Sequence, residues 1–301
     1  MKLTVKNLEK SFHGTKVLKN ISFEVENGKA LGLLGRNGAG KTTTIRILMD
    51  VMKADSGEIY LDDQPFVRSG FSIGYLPEER GLYPKKTVIE QLVYLGRLKG
   101  LSTTKAKENA LYWLDKLQIS EYEKRLLETL SKGNQQKVQL ASTLVSDPKI
   151  VILDEPFSGL DPVNAQILKD IVNECIENQK IVIFSSHQMS YVEEFCEDIV
   201  IINKGEVALK GNLKEIKKSY GKNQLIISAN QVSNQELGNL LSKSSLLQVE
   251  YSTKNGVVIT MEENTTKKDI LNLLMNENID IELFGDYEPS LNDIFVMKVG
   301  E

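Results

Sequence analysis

The residues GRNGAGKTT, Gly35 to Thr43, follow an apolar run, ALGLLG, and open a stretch of helix-forming character. That order is the context in which the spacing G-x-x-x-x-G-K-[ST] holds phosphate. Glycines let successive backbone N–H groups curl toward phosphate oxygens, and a helix N-terminus adds partial positive charge. Gly35, Gly38, Gly40 and Lys41 form the expected cradle, with Asn37 and Thr43 among the nucleotide contacts. Lys41 is expected to reach the terminal phosphates, and the Thr42 hydroxyl to ligate Mg²⁺.

A phosphate cradle needs a carboxylate for the cation, and IVILDEP supplies two at the end of an apolar strand. Asp154 is expected to hold Mg²⁺ through water, and Glu155 to point at the terminal phosphate as general base for the attacking water. Without the glycine loop, the same pair reads as two solvated acids at a strand end. KIVIFSSHQMS ends a second apolar strand at His187. His187 should therefore emerge at the sheet edge where the carboxylates lie, able to bond the terminal phosphate and to align Glu155 with water. His13 falls in a turn and reads as structural.

Such groups must be brought together by a parallel sheet, and the rest of the chain provides one. KIVILD and KIVIFSS are buried-strand runs joined by a helix from about Pro162 to Asn178, a βαβ arrangement. Before the loop, LTV, KVL and ISFEV read as strands around HGT and ENG. From about 84 to 146 the period becomes helical, with Leu92, Leu95 and Leu98, then Leu111, Leu114 and Leu117, spaced i, i+3, i+6. Beyond about residue 222 the order is β-α-β-β-α-β, opened by the capping box Ser233 to Glu236 and including a turn at Asn255-Gly256. A last helix is expected from Ser290. The expected domains are 1–215, with a helical subdomain at about 84–146, and a small α+β domain at 222–301.

With 301 residues, 41% hydrophobic, the chain is long enough for one large core or two smaller ones. Its net charge of −4 gives no overall positive field to draw nucleic acid or an anionic membrane. Two cysteines, Cys175 and Cys196, fit neither a disulfide scaffold nor a metal site and read as reduced thiols. The N-terminus alternates like a strand rather than a leader, and no run of 18 apolar residues could span a membrane.

Phosphate loop, LSKGNQQ, LDEP, SGLD and a strand-terminal histidine, in that order, strongly resemble the nucleotide-binding subunit of ATP-binding cassette (ABC) transporters over residues 1 to 215. The resemblance implies an α/β P-loop cassette: a RecA-like core with an antiparallel β subdomain and a helical subdomain. In that family the LSGGQ-type stretch caps ATP held by a second subunit. Ser131, Gly133 and Asn134 are thus implied to act in trans, with departures from the usual pattern at Lys132 and Asn134. On its own, LSKGNQQ is a plain N-capped helix start. The resemblance further implies that Phe12, by sequence alone equally a strand-end core residue, stacks on adenine and that Asp161 crosses the dimer interface. It places Glu78 where the family generally has a glutamine contacting the metal or its water; a carboxylate can still ligate metal but lacks a donor.

YLPEERGLYPKKTV and the closing EPSLNDIFVMKVG also look like the ATPases of sodium-efflux, drug-efflux and antibiotic-resistance exporters. The implied cofactors are ATP and Mg²⁺. The implied partners are a second copy of the chain, or a homologous ATPase subunit, and a separate integral membrane permease, with no nucleic acid, placing the chain at the cytoplasmic face of the membrane. The alternative is a soluble ABC protein acting on ribosomes or nucleic acid. A single cassette and the acidic pI near 5.5 count against it.

Overall fold

Alternating apolar and charged residues build the first antiparallel pair. In the computed structural model, which describes residues 1–66, 72–79, 81–158 and 160–300, β1 (Lys2–Phe12) turns at His13-Gly14 into β2 (Thr15–Glu26). KVL and ISFEV share this one strand. Asn20 between them takes a left-handed backbone, φ 63°, at a shift in the pairing register, so the strand continues past it. After β3 (Lys29–Leu34) and α1 (Lys41–Leu48) come β4 (Ser56–Leu61) and β5 (Gln64–Pro65). β2, β1, β4 and β5 form one antiparallel sheet.

The second sheet positions the candidate site. β6 (Ile73–Leu76) is followed by α2 (Val88–Leu98), α3 (Thr103–Lys116) and α4 (Lys132–Leu144), then by β7 (Ile150–Asp154) and α5 (Pro162–Glu177). β8 (Ile181–Ser185), α6 (Met189–Phe195), β9 (Asp198–Asn203) and β10 (Glu206–Asn212) complete it. The strand order is β10-β9-β3-β8-β7-β6, parallel except for β10. Every residue of β7 and β8 is buried, which explains their continuous apolar sequences. Because β3 lies next to β8, and β8 next to β7, the carboxyl ends of three strands meet, where open α/β sheets bind ligands.

The leucine stripe of the helical segment differs from its reading. Leu92, Leu114 and Leu117 are buried, but Leu98 is 65% and Leu111 39% exposed. A spacing of i, i+3, i+6 drifts around a 3.6-residue helix, so one end of each triplet rotates to the surface. Val88, Gln91 and Gly96 of α2, and Ala106, Ala110 and Trp113 of α3, fill the buried face instead.

The chain divides into two compact units, Met1–Leu213 with Met297–Glu301, and Lys214–Val296. α7 (Leu213–Tyr220) lies at this division. The second unit holds β11 (Gln224–Ala229), α8 (Asn234–Leu241), β12 (Leu247–Thr253), β13 (Gly256–Met261), α9 (Lys267–Asn276) and β14 (Ile281–Asp286), and α10 (Leu291–Val299) follows. Its antiparallel sheet has the order β12-β13-β11-β14, the split-βαβ arrangement. Leu225, Ile227, Val257 and Ile259 pack with Leu237, Leu241, Ile270 and Leu274 of α8 and α9 in a core of its own. Capping boxes at Ser233/Glu236 and Thr266/Asp269 start those two helices. Cys175 and Cys196 are free and buried in the first unit.

Candidate nucleotide site

The glycine loop has the shape its sequence calls for. Gly35, Gly38 and Gly40 have φ of 155°, 79° and 118°, in the region that L side chains rarely adopt. A Cβ on Gly35 would sit 2.4 Å from the Ile202 carbonyl oxygen, and one on Gly40 2.6 Å from Leu18 Cδ2; around Gly38 the space is open. α1 starts with no side-chain cap and no acidic residue in its first turn, so its leading N–H groups face the loop. Lys41, only 8% exposed, donates its Nζ to the Gly35 carbonyl at 2.7 Å and to Arg36 O at 3.4 Å. Burial lowers the Lys41 pKa, and the charges of Glu155, Asp154 and Glu78 oppose that shift. Asn37 and Thr42 are exposed and Thr43 half-buried.

Asp154, at the end of β7, accepts a hydrogen bond from Ser185 Oγ of β8 and one from the Tyr75 hydroxyl of β6 at 3.3 Å. Burial, then the Asp154 charge, pushes the Tyr75 phenol up to about 12, which keeps it a donor. Glu155 is 8% exposed and takes a left-handed backbone, φ 49°, uncommon for a residue with a side chain. Its N–H donates to Ser185 O at 2.9 Å. Its Oε2 accepts from Ser186 Oγ at 3.2 Å and lies 2.9 Å from His187 Nδ1. The His187 side chain is 63% exposed, leaving the rest of the ring open to solvent. Behind this turn Phe157 stacks on Tyr191 with ring centroids 4.0 Å apart and on Phe195 at 5.8 Å. Burying such a ring contributes about 2–3 kcal/mol, and here it fixes the peptide after Glu155.

The remaining candidates occupy defined places. Ser131 is the N-cap of α4 and its Oγ accepts from Asn134 N at 3.3 Å; Lys132 and Gly133 open the helix. Asp161 is the N-cap of α5, with Pro162 at the first helical position, and accepts from the N–H groups of Val163 and Asn164 at 3.0 Å. Bonds from Asn164 hold its carboxyl below the usual range. Gly159 of SGLD lies outside the described residues. Phe12 ends β1, 37% exposed, with Lys10 Nζ 5.8 Å from its ring centroid. Glu78 is exposed, just after β6.

Among the described residues no group of three or more His, Cys, Asp or Glu could by itself hold a metal ion. That is compatible with Mg²⁺, which is held by one or two carboxylates plus substrate phosphates rather than by an all-protein cage. One buried carboxylate already oriented by two hydroxyl donors, beside a phosphate loop, is a donor set of this kind.

Sequence reasoning missed Tyr75, Ser185 and Ser186, the hydroxyls that orient the two carboxylates. Ser185 and Ser186 stood beside His187 at the end of an apolar strand. Tyr75 gave no local signal, since only the β6–β7 pairing, Tyr75 opposite Ile152, brings it to Asp154.

The ABC transporter family profile matches residues 18–158, and that of the DrrA1-3-like ATP-binding protein C-terminal domain matches residues 211–299. The uncharacterized ABC transporter ATP-binding protein YhaQ of Bacillus subtilis is 42% identical, covering 99% of this chain and 98% of its own. The linearmycin resistance ATP-binding protein LnrL of the same organism is 33% identical over 74% of this chain and 73% of its own. The dimeric structure of MJ0796, a bacterial ABC transporter cassette, superposes with a TM-score of 0.63 at 25% identity, covering 70% of this chain and 98% of that one. A relative this similar along both whole chains leaves one family, and the protein is accordingly an ATP-binding subunit of the ABC transporter type, an ATPase cassette with a DrrA-like C-terminal domain.

Proposed function

We propose that this subunit binds Mg-ATP at the Gly35–Thr43 loop, pairs with a second copy around two nucleotides, and drives a separate membrane permease in the export direction. The observation that carries the reading is the buried Glu155 just past β7, its carboxylate 2.9 Å from His187 Nδ1, in the sheet whose β3 runs into the glycine loop. Phosphate oxygens replace the loop carbonyls as acceptors for Lys41. Glu155 accepts the proton of the attacking water, and His187 donates to the terminal phosphate and holds Glu155 in line. Asp154, Thr42 and Glu78 would hold the Mg²⁺, which supplies charge neutralisation at the phosphates.

Ser131, Gly133 and Asn134 cap the partner's nucleotide from the start of α4, and Asp161 crosses to the partner beside them. Phe12 stacks on the base. Residues 1–215 act as the cassette and 222–301 as an accessory domain. Among the described residues no helix is long and apolar enough to cross a membrane. A permease has a place to dock at a hollow of about 500 Å³ lined by Tyr83, Lys86, Glu90, Gln91 and Tyr94, whose two tyrosines are 51% and 49% exposed. Docking there holds the chain at the cytoplasmic face of the membrane. Export rests on the DrrA-like C-terminal domain and on the likeness to a resistance ATPase.

The test is light scattering after size exclusion of Glu155→Gln. Mg-ATP should convert this variant from monomer to dimer and ATP turnover should stall. A Gln variant that turns over at the parent rate would show that Glu155 is not the base.

A further inference from the structure

Among the described residues β6 is the last strand of its sheet, with no strand paired to its outward carbonyls. Side chains from the helical segment take that place in a regular row. Lys99 Nζ donates to Ile73 O at 3.3 Å and Thr143 Oγ1 to Tyr75 O at 3.1 Å. The Gln139 amide donates to both Pro77 O at 3.3 Å and Glu79 O at 3.0 Å. The four acceptors are two residues apart, two of them on β6 and two in the bend that follows it. Gln139 and Thr143 are four apart on α4, one turn along the same face, and are 5% and 2% exposed. One turn nearer the helix start, Gln136 Nε2 donates to Pro156 O at 2.6 Å, immediately after Glu155.

From this row we infer that Gln139 is a positioning residue. Its amide clamps the two peptides flanking Glu78 to the helix that begins at Ser131, so Glu78 and the Ser131–Asn134 stretch move as one body. A buried amide that bridges two carbonyls cannot let one go without leaving polar groups unpaired, which makes the link stiff. Displacement of the segment carrying Glu78 is thereby delivered to the helix start that meets the partner's nucleotide. The inference rests on the proposed pairing around ATP.

The experiment is a double-mutant cycle in the Glu155→Gln background, reading by light scattering the Mg-ATP concentration that gives half dimer. Gln139→Met, of similar length but without a donor, should raise that concentration about tenfold, while a fluorescent ATP analogue binds the monomer within about twofold of the parent. Glu78→Ala should raise it to a similar extent. The double variant should show about tenfold again, because both changes break one linkage. A double effect near a hundredfold, or no effect of either single change, would overturn the inference. If Gln139→Met does not melt as a folded protein, Thr143→Val takes its place in the cycle, with about threefold expected and the same criterion. Failure of Glu155→Gln itself to dimerise with Mg-ATP would instead count against the functional reading.

Discussion

A Cβ placed on Gly133 would lie 3.0 Å from Nδ2 of Asn164, whose amide in turn donates to the Asp161 carboxylate. The start of α4 and the start of α5 are therefore in direct register within one chain, and two stretches proposed to meet the partner share one contact. Gly133→Ala should separate stability from pairing. Alanine in a helix is favoured over glycine by about 1 kcal/mol, so the melting temperature should hold or rise. The added methyl presses on Asn164, and the Mg-ATP needed for half dimer in the Glu155→Gln background should rise about threefold. Calorimetry and light scattering on the same variant check both halves.

Tyr75 offers a pH signature. Its phenol ionises near 10 when unfolded and near about 12 when folded, because of burial and the Asp154 charge. Above pH 10 the unfolded chain has released a proton that the native chain retains, so the native state binds more protons and stability falls as pH rises. The contribution is fully present below pH 10 and is lost between there and about 12. Tyr75→Phe should show a smaller drop in urea midpoint between pH 9 and 11.5 than the parent. At neutral pH it should also reduce turnover about tenfold, the lower end for loss of a single hydrogen bond to a charged group.

His187→Ala removes the ring from Glu155 and opens the exposed side of the site. Nucleotide affinity should change less than about threefold, while kcat falls about a hundredfold, the lower range for loss of an aligned proton-transfer partner. Single-turnover hydrolysis beside equilibrium nucleotide binding would separate the two. Equal losses in both would assign His187 to binding.

Much of the architecture was legible in the sequence because phosphate chemistry constrains both residue type and spacing. Gly35 and Gly40 admit no side chain, and the adjacency of Glu155 and His187 followed from two apolar strands each ending in a polar residue. The β-α-β-β-α-β order of the second unit was readable from turns and capping boxes. What stayed hidden depends on long-range register. Ser185 meets Asp154 because β7 and β8 pair at those positions, and Gln139 finds its carbonyls because α4 lies along the β6 edge. A glutamine in a helical run has no local mark of burial. The leucine triplets misled for the opposite reason, since the pattern is local but its three-residue repeat does not match the helix.

The burial of both native thiols has a practical side. Burial pushes the Cys175 thiol up to about 11 and that of Cys196 higher still, so at neutral pH neither offers thiolate to an alkylating reagent. A single cysteine introduced at exposed Val163, two residues past Asp161, would take a fluorophore alone in the otherwise native chain. Pairing of two copies could then be followed by dye quenching, with the native background silent until the protein unfolds.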